Sequence, residues 1–160
     1  MPTDRLQRDD FAIPAVELAP ALLGTRLIRI LDDGTRLSGR IVETEAYVGV
    51  KARASHAFNA RRTPRNQAMY ASPGIAYVYF TYGMHWCFNV VCAAFDVPEA
   101  VLVRAIQPEE GLDAMRTRRG GARDLDLCRG PARLCQALAI DRALNATDLT
   151  NSEHLWIESG

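Results

Sequence analysis

The stretch Arg26-Leu-Ile-Arg-Ile-Leu-Asp-Asp-Gly-Thr-Arg-Leu-Ser-Gly-Arg-Ile-Val-Glu-Thr-Glu-Ala-Tyr47 decides the fold. Two runs with strand-forming residues, 26–31 and 36–47, flank Asp33-Gly34, a dipeptide suited to the positive φ angles of a tight hairpin. Working outward, Ile75–Tyr82 and His85–Cys92 form a second hairpin candidate with Tyr82-Gly83-Met84 at its tip. Val101–Ile106 is apolar along most of its length, as a buried strand is, and Leu155–Ile157 makes a last short strand. Helices are expected over 14–23, closed by Gly24, and from Pro108 through Arg116, where acids precede arginines as the helix dipole favours. A third spans Pro131–Ile140, with Leu134, Cys135 and Leu138 on one face. Strands and helices mix without regular alternation, so the fold class is α+β.

With 160 residues, 48% of them hydrophobic and 24% charged, the chain reads as one domain over 1–160. A chain of this size buries about two-thirds of its unfolded surface and needs no disulfide or metal staple. No apolar run reaches the roughly 20 residues of a membrane span, and the start of the chain lacks the basic-then-apolar layout of an export signal. Cys87, Cys92, Cys128 and Cys135 have neither close pairing nor a histidine partner motif, so they read as buried free thiols rather than a metal cage. No metal and no cofactor is expected. Residues 48–74, polar, basic and rich in small side chains, read as a long surface loop.

Nineteen basic and nineteen acidic residues cancel, yet they are unevenly laid out. From Ala46 to Phe95 there is no Asp or Glu, while Lys51, Arg53, Arg61, Arg62 and Arg65 are basic. A second basic block, with six arginines against Asp124 and Asp126, runs from Arg116 to Arg133. Such blocks suit a phosphate backbone. The excess of Arg over Lys, eighteen to one, fits either phosphate binding or a coding bias toward GC-rich codons.

Strand alternation along Arg40–Tyr47 places Ile41, Glu43, Glu45 and Tyr47 on one face and Val42, Thr44 and Ala46 on the other. Two carboxylates beside an aromatic read either as a solvated, salt-bridged face or as a carboxylate in a partly apolar pocket, available as a general base. Seven of the twelve aromatics fall between Tyr70 and Phe88. In the first strand of that hairpin Ile75, Tyr77 and Tyr79 share one side, Ala76, Val78 and Phe80 the other. One side is core, and a side bearing phenols next to an acid-free block suits stacking on nucleobases as well as simple packing. His56 and His85 fit structural hydrogen bonding as readily as chemistry.

Taken in order, Gly39-Arg-Ile-Val-Glu-Thr-Glu-Ala-Tyr47, His56, Thr63-Pro-Arg-Asn66, Pro73-Gly74, Tyr77-Val-Tyr79 and Tyr82-Gly-Met84 resemble the alkyladenine (3-methyladenine) DNA glycosylases. So do Leu102-Val-Arg104-Ala, Pro108-Glu-Glu-Gly-Leu and Gly130-Pro-Ala-Arg-Leu-Cys-Gln-Ala-Leu-Ala139, and the likeness runs from about Leu18 to Trp156.

The resemblance implies a single compact domain with a curved, mostly antiparallel sheet, a protruding β-hairpin and flanking helices. It implies a monofunctional base-excision enzyme that flips a damaged purine from duplex DNA, because the glycosidic carbon is out of reach inside the stack. By that likeness Glu45 is the general base that activates a water, Arg104 helps hold that water, and Glu43 is a supporting neighbour. Tyr47, His56, Tyr79 and Asn89 form the base pocket, with Asn89 discriminating against normal guanine. Tyr82 and Met84 intercalate, and Lys51, Arg61, Arg62 and Arg65 meet the DNA backbone. The partner is double-stranded DNA carrying damaged purines, and the protein is expected as a monomer in a bacterial cytoplasm, at the nucleoid through DNA. The same likeness leads one to expect a further C-terminal segment past Leu155–Ile157, beyond Gly160. The competing readings are a catalytically silent nucleic-acid-binding module on the same scaffold and a metal-dependent nuclease built on Glu43, Glu45 and an Asp. A Schiff-base lyase step is not expected, since Lys51 is the only lysine.

Overall fold

A computed structural model describes residues 4–48, 63–64, 66–81 and 83–160. Six strands, β1 (Arg26–Ile30), β2 (Arg36–Tyr47), β3 (Ala76–Phe80), β4 (Trp86–Cys92), β5 (Glu99–Glu110) and β6 (Leu155–Glu158), form one curled sheet in the order β3-β4-β5-β2-β1-β6. Every neighbouring pair is antiparallel. Among the described residues four helices accompany them: α1 (Arg8–Phe11), α2 (Ala15–Leu22), α3 (Leu112–Arg118) and α4 (Pro131–Leu138). The expected α+β class and both hairpins are present.

The main core lies between one sheet face and helices α2 and α4, where Leu18, Leu22, Ile41, Phe88, Val90, Val101, Val103, Leu134 and Leu138 are buried. Pro14 offers α2 no side-chain acceptor, so the Ala15 amide donates instead to Glu99 Oε1 of β5 at 2.9 Å, which ties the helix start to the sheet. All four cysteines are free and buried.

A smaller cluster covers the opposite face: Ala68, Met69, Tyr70, Tyr77, Val91 and Ala100, with Tyr47, Ile75 and Tyr79 against it. It corrects the expectation of a surface loop over 48–74 at its C-terminal end. There Gln67–Tyr70 is a 3-10 turn, and Asn66 is buried with its Oδ1 accepting the Thr63 amide at 2.7 Å. Residues 49–62 and 65 lie outside the described residues.

Two further expectations are corrected by pairing. β5 runs on through Pro108 to Glu110, where a helix is expected, because Pro108 stands opposite Gly39 and Glu110 opposite Ser38. The missing donor of Pro108 is tolerated at the register shift between Ser38 and Gly39. Gly111, at φ 78°, then turns the chain into α3. The second correction concerns β2. Register shifts between Ile41 and Glu43 and between Glu43 and Thr44 break the two-residue alternation. Ile41 therefore points into the main core, while Val42 and Glu43 are exposed.

Candidate active site

The shifts in β2 set the direction of everything after them. Thr44 Oγ1 donates to the Ala19 carbonyl of α2 at 2.7 Å and Ala46 packs against the main core, so Glu45 and Tyr47 project from the opposite face. Antiparallel register carries that face across four strands: Glu45 lies opposite Leu102, Leu102 opposite Asn89, and Asn89 opposite Tyr77. The row beside it runs Tyr47, Ala100, Val91, and on the other side Tyr79 stands opposite Cys87. Strand spacing of about 4.8 Å makes the row from Glu45 to Tyr77 about 14 Å wide.

At one end of this face Arg104 Nη1 donates to Glu45 Oε2 at 2.8 Å. Their side chains are 39% and 43% exposed, so the carboxylate is reachable by water rather than enclosed in an apolar pocket. Leu102 and Arg104 share a face because Val101 and Val103 alternate into the main core. The Tyr47 phenol is shifted up, chiefly by burial and further by the Glu45 carboxylate. Burial together with the Cys87 sulfur and Tyr47 pushes the Tyr79 phenol up as well. Both phenols therefore remain neutral donors.

Toward the hairpin the floor is aromatic. The Tyr77 and Tyr79 rings lie 5.4 Å apart at 36°. Asn89 is buried, and its Nδ2 donates to the Tyr77 carbonyl at 3.2 Å. The arrangement can hold a flat ring beside a carboxylate whose charge is oriented by a guanidinium.

Of the residues expected from sequence, the structure brings together Glu45, Arg104, Tyr47, Tyr79 and Asn89. Met84 is 76% exposed at the hairpin turn, where its φ is 61° and its amide donates to the Thr81 carbonyl. His56, Tyr82, Lys51, Arg61, Arg62 and Arg65 lie outside the described residues. Leu102, Cys87 and Tyr77 also line this face. Alternation within Val101–Ile106 carries the signal for Leu102, whereas Cys87 emerges only from the register with Tyr79.

The basic block Arg116–Arg133 is largely engaged internally. Arg116 bridges Asp113 at 2.6 Å and Asp124 at 2.8 Å. Arg123, Arg129 and Arg133 gather around Asp126, and Arg119 bonds the Leu127 and Asp126 carbonyls. These contacts tie the segment between α3 and α4 together, while the side chains of Arg123, Arg129 and Arg133 stay half or more exposed.

The methylpurine-DNA glycosylase family model matches residues 9–160, and the chain belongs to that family. Among its relatives, a DNA-3-methyladenine glycosylase of Mus musculus is 47% identical over 165 residues, 98% of this chain and 49% of that protein. The one of Homo sapiens is 46% identical, again over 98% of this chain, and 55% of its own length is covered. A putative 3-methyladenine DNA glycosylase of Carboxydothermus hydrogenoformans is 48% identical over 97% of this chain and 80% of its own. The chain thus spans about half the length of the mammalian relatives it matches.

Proposed function

We propose that this protein is a monofunctional DNA glycosylase of base excision repair, acting on alkylated or deaminated purines in duplex DNA. The observation that carries the reading is the Glu45–Arg104 pair, 2.8 Å apart, on the same sheet face as Tyr47 and Tyr79. The relatives named as 3-methyladenine glycosylases support it.

The damaged nucleotide is extruded so that its base reaches this face, with the cost of unstacking lowest for an already weakened pair. Tyr47, His56 and Tyr79 hold the base and Asn89 lies beneath it, where an exocyclic amine of guanine would be refused. Glu45 accepts a proton from a water as its oxygen bonds to the sugar C1′, and Arg104, which donates to Glu45 Oε2, aims the carboxylate and helps hold that water. The C1′–N bond breaks with its electron pair going to the base. A cationic alkylpurine leaves as a neutral molecule, so a solvated carboxylate suffices; a neutral lesion such as hypoxanthine needs a proton or hydrogen bonds at its ring nitrogens. Tyr82 and Met84 fill the gap in the duplex, and Lys51, Arg61, Arg62 and Arg65 meet phosphates. The single domain acts as a monomer on double-stranded DNA in the bacterial cytoplasm. Among the described residues, no helix is long and apolar enough to cross a membrane.

The test is single-turnover incubation with a duplex carrying one hypoxanthine, followed by hot alkali to reveal abasic sites, alongside Glu45→Gln and an EDTA control. Alkali-dependent, EDTA-insensitive cleavage by the unmodified protein alone is expected. Cleavage without alkali, or abolished by EDTA, overturns the reading.

A further inference from the structure

The hairpin of β3 and β4 has a second face, turned away from Glu45. Tyr79 and Phe80 are successive residues and so project on opposite sides. Phe80 stands opposite Trp86 in the register, with their rings 4.8 Å apart at 44°. Against this pair lies a cavity of about 630 Å³, lined also by Val78, Met84, Arg142 and Asn145. It is no loose surface. Asn145 Oδ1 accepts the Val78 amide at 2.8 Å, and the Ala146 amide donates to the Ala76 carbonyl at 2.8 Å, which fastens the chain after Arg142 along the edge of β3. The 3-10 turn Arg142–Leu144 is capped by Asp141, whose Oδ1 accepts the Ala143 amide. Asp141 is thereby engaged with backbone, and Arg142 is left exposed, its guanidinium 5.8 Å from the Trp86 ring. Among the described residues Arg142 has no carboxylate in ion-pair contact.

We propose that this outer face is a second DNA contact, receiving the backbone of the strand opposite the extruded nucleotide, with deoxyribose against Phe80 and Trp86 and a phosphate on Arg142. The inference rests on the glycosylase reading of the inner face. A nucleotide held at Tyr79 and Glu45 leaves the rest of its duplex straddling a two-stranded ribbon, so the second strand passes on the ribbon's other side. That side offers an apolar aromatic pair and, at its rim, an uncompensated guanidinium, which together match a sugar–phosphate chain in shape and charge.

Binding to a labelled duplex with a tetrahydrofuran abasic analogue, which cannot be hydrolysed, is compared with binding to the same strand alone. For Arg142→Ala, the duplex is expected to bind about tenfold more weakly with a salt slope smaller by about one, while the single strand changes less than about twofold. Trp86→Ala behaves alike and Trp86→Phe recovers binding; Arg142→Ala, a change at the exposed surface, guards against misfolding in the Trp86 variants. Base release at saturating protein stays at the unmodified rate. Equal losses on duplex and single strand, or no loss on either, overturn the proposal. Duplex-selective losses without any base release by the unmodified protein overturn the glycosylase reading and leave the contact standing.

Discussion

Arg104 Nη1 meets Glu45 Oε2 at 2.8 Å across β5 and β2, with about two-fifths of each side chain exposed. An ion pair this solvated contributes within about 1 kcal/mol to stability, so its geometry serves to aim a charge more than to hold two strands together. Glu45→Gln and Arg104→Ala are therefore expected to shift unfolding free energy by no more than about 1 kcal/mol. Single-turnover base release should fall at least about 100-fold for Glu45→Gln. Urea titration beside the glycosylase assay checks both numbers. A variant that loses stability in proportion to activity would place the pair in the framework instead.

The position of that pair depends on how tightly β2 and β5 pack before the register shifts. A methyl group on Gly39 would lie 2.7 Å from Ile106 Cδ1 and 2.8 Å from the Gln107 carbonyl oxygen. The oxygen belongs to a paired strand and cannot swing aside. Gly39→Ala is expected to cost about 1–3 kcal/mol, read as a lower urea midpoint at unchanged m-value. An unaltered midpoint would mean that the two strands separate locally at little cost.

Much of this architecture was legible in the sequence, and the boundaries of β2 came directly from its pattern. Its faces did not. Alternation puts Ile41 with Glu45, but the register shifts on either side of Glu43 send Ile41 to the core, and nothing in Ile41-Val-Glu43 announces them. Likewise Pro108-Glu-Glu has every local mark of a helix start, and pairing with Ser38 and Gly39 overrides it. Glu45, Tyr47, Tyr79 and Arg104 could be singled out because they stand within the short motifs that carry the family likeness, and Asn89 by its place in that likeness. Cys87 could not, since its place follows from the register of β4 against β3. Nor did the arginine count reveal that Asp113, Asp124 and Asp126 already occupy the block after Arg116.

All four thiols are buried, and burial pushes Cys92 and Cys128 up to about 12, with Cys135 and Cys87 also raised. Since the thiolate is the nucleophile, native protein at pH 8 should show no fast reaction with a disulfide reagent, and urea should release four equivalents. Cys87, opposite Tyr79 on the candidate site's floor, is the thiol to watch. Fast labelling of one equivalent in native protein, mapped to Cys87, would mean that this floor opens to solvent.

The N-terminal helix is held by Arg8, whose guanidinium donates to Asp148 Oδ2 at 2.6 Å and to the Pro73 carbonyl at 2.8 Å. Burial by itself would raise the Asp148 carboxyl, but hydrogen bonds from Arg8 and from the Thr150 hydroxyl and amide outweigh it and hold the group below its ordinary 3.8. A carboxyl depressed in the folded state stabilises fully above its unfolded value, and that contribution fades as pH falls through the lower, folded one. Asp148→Asn should therefore cost roughly 1–2 kcal/mol at neutral pH, where the charge-assisted bond to Arg8 is intact. The gap between variant and unmodified protein should narrow below about pH 4, as Asp148 takes up its proton. Urea titrations at pH 7 and pH 3 measure it. A gap of the same size at both would show that the turn's hydrogen bonds to Thr150, rather than the carboxylate's charge, tie α1 to the strand-flanking segment.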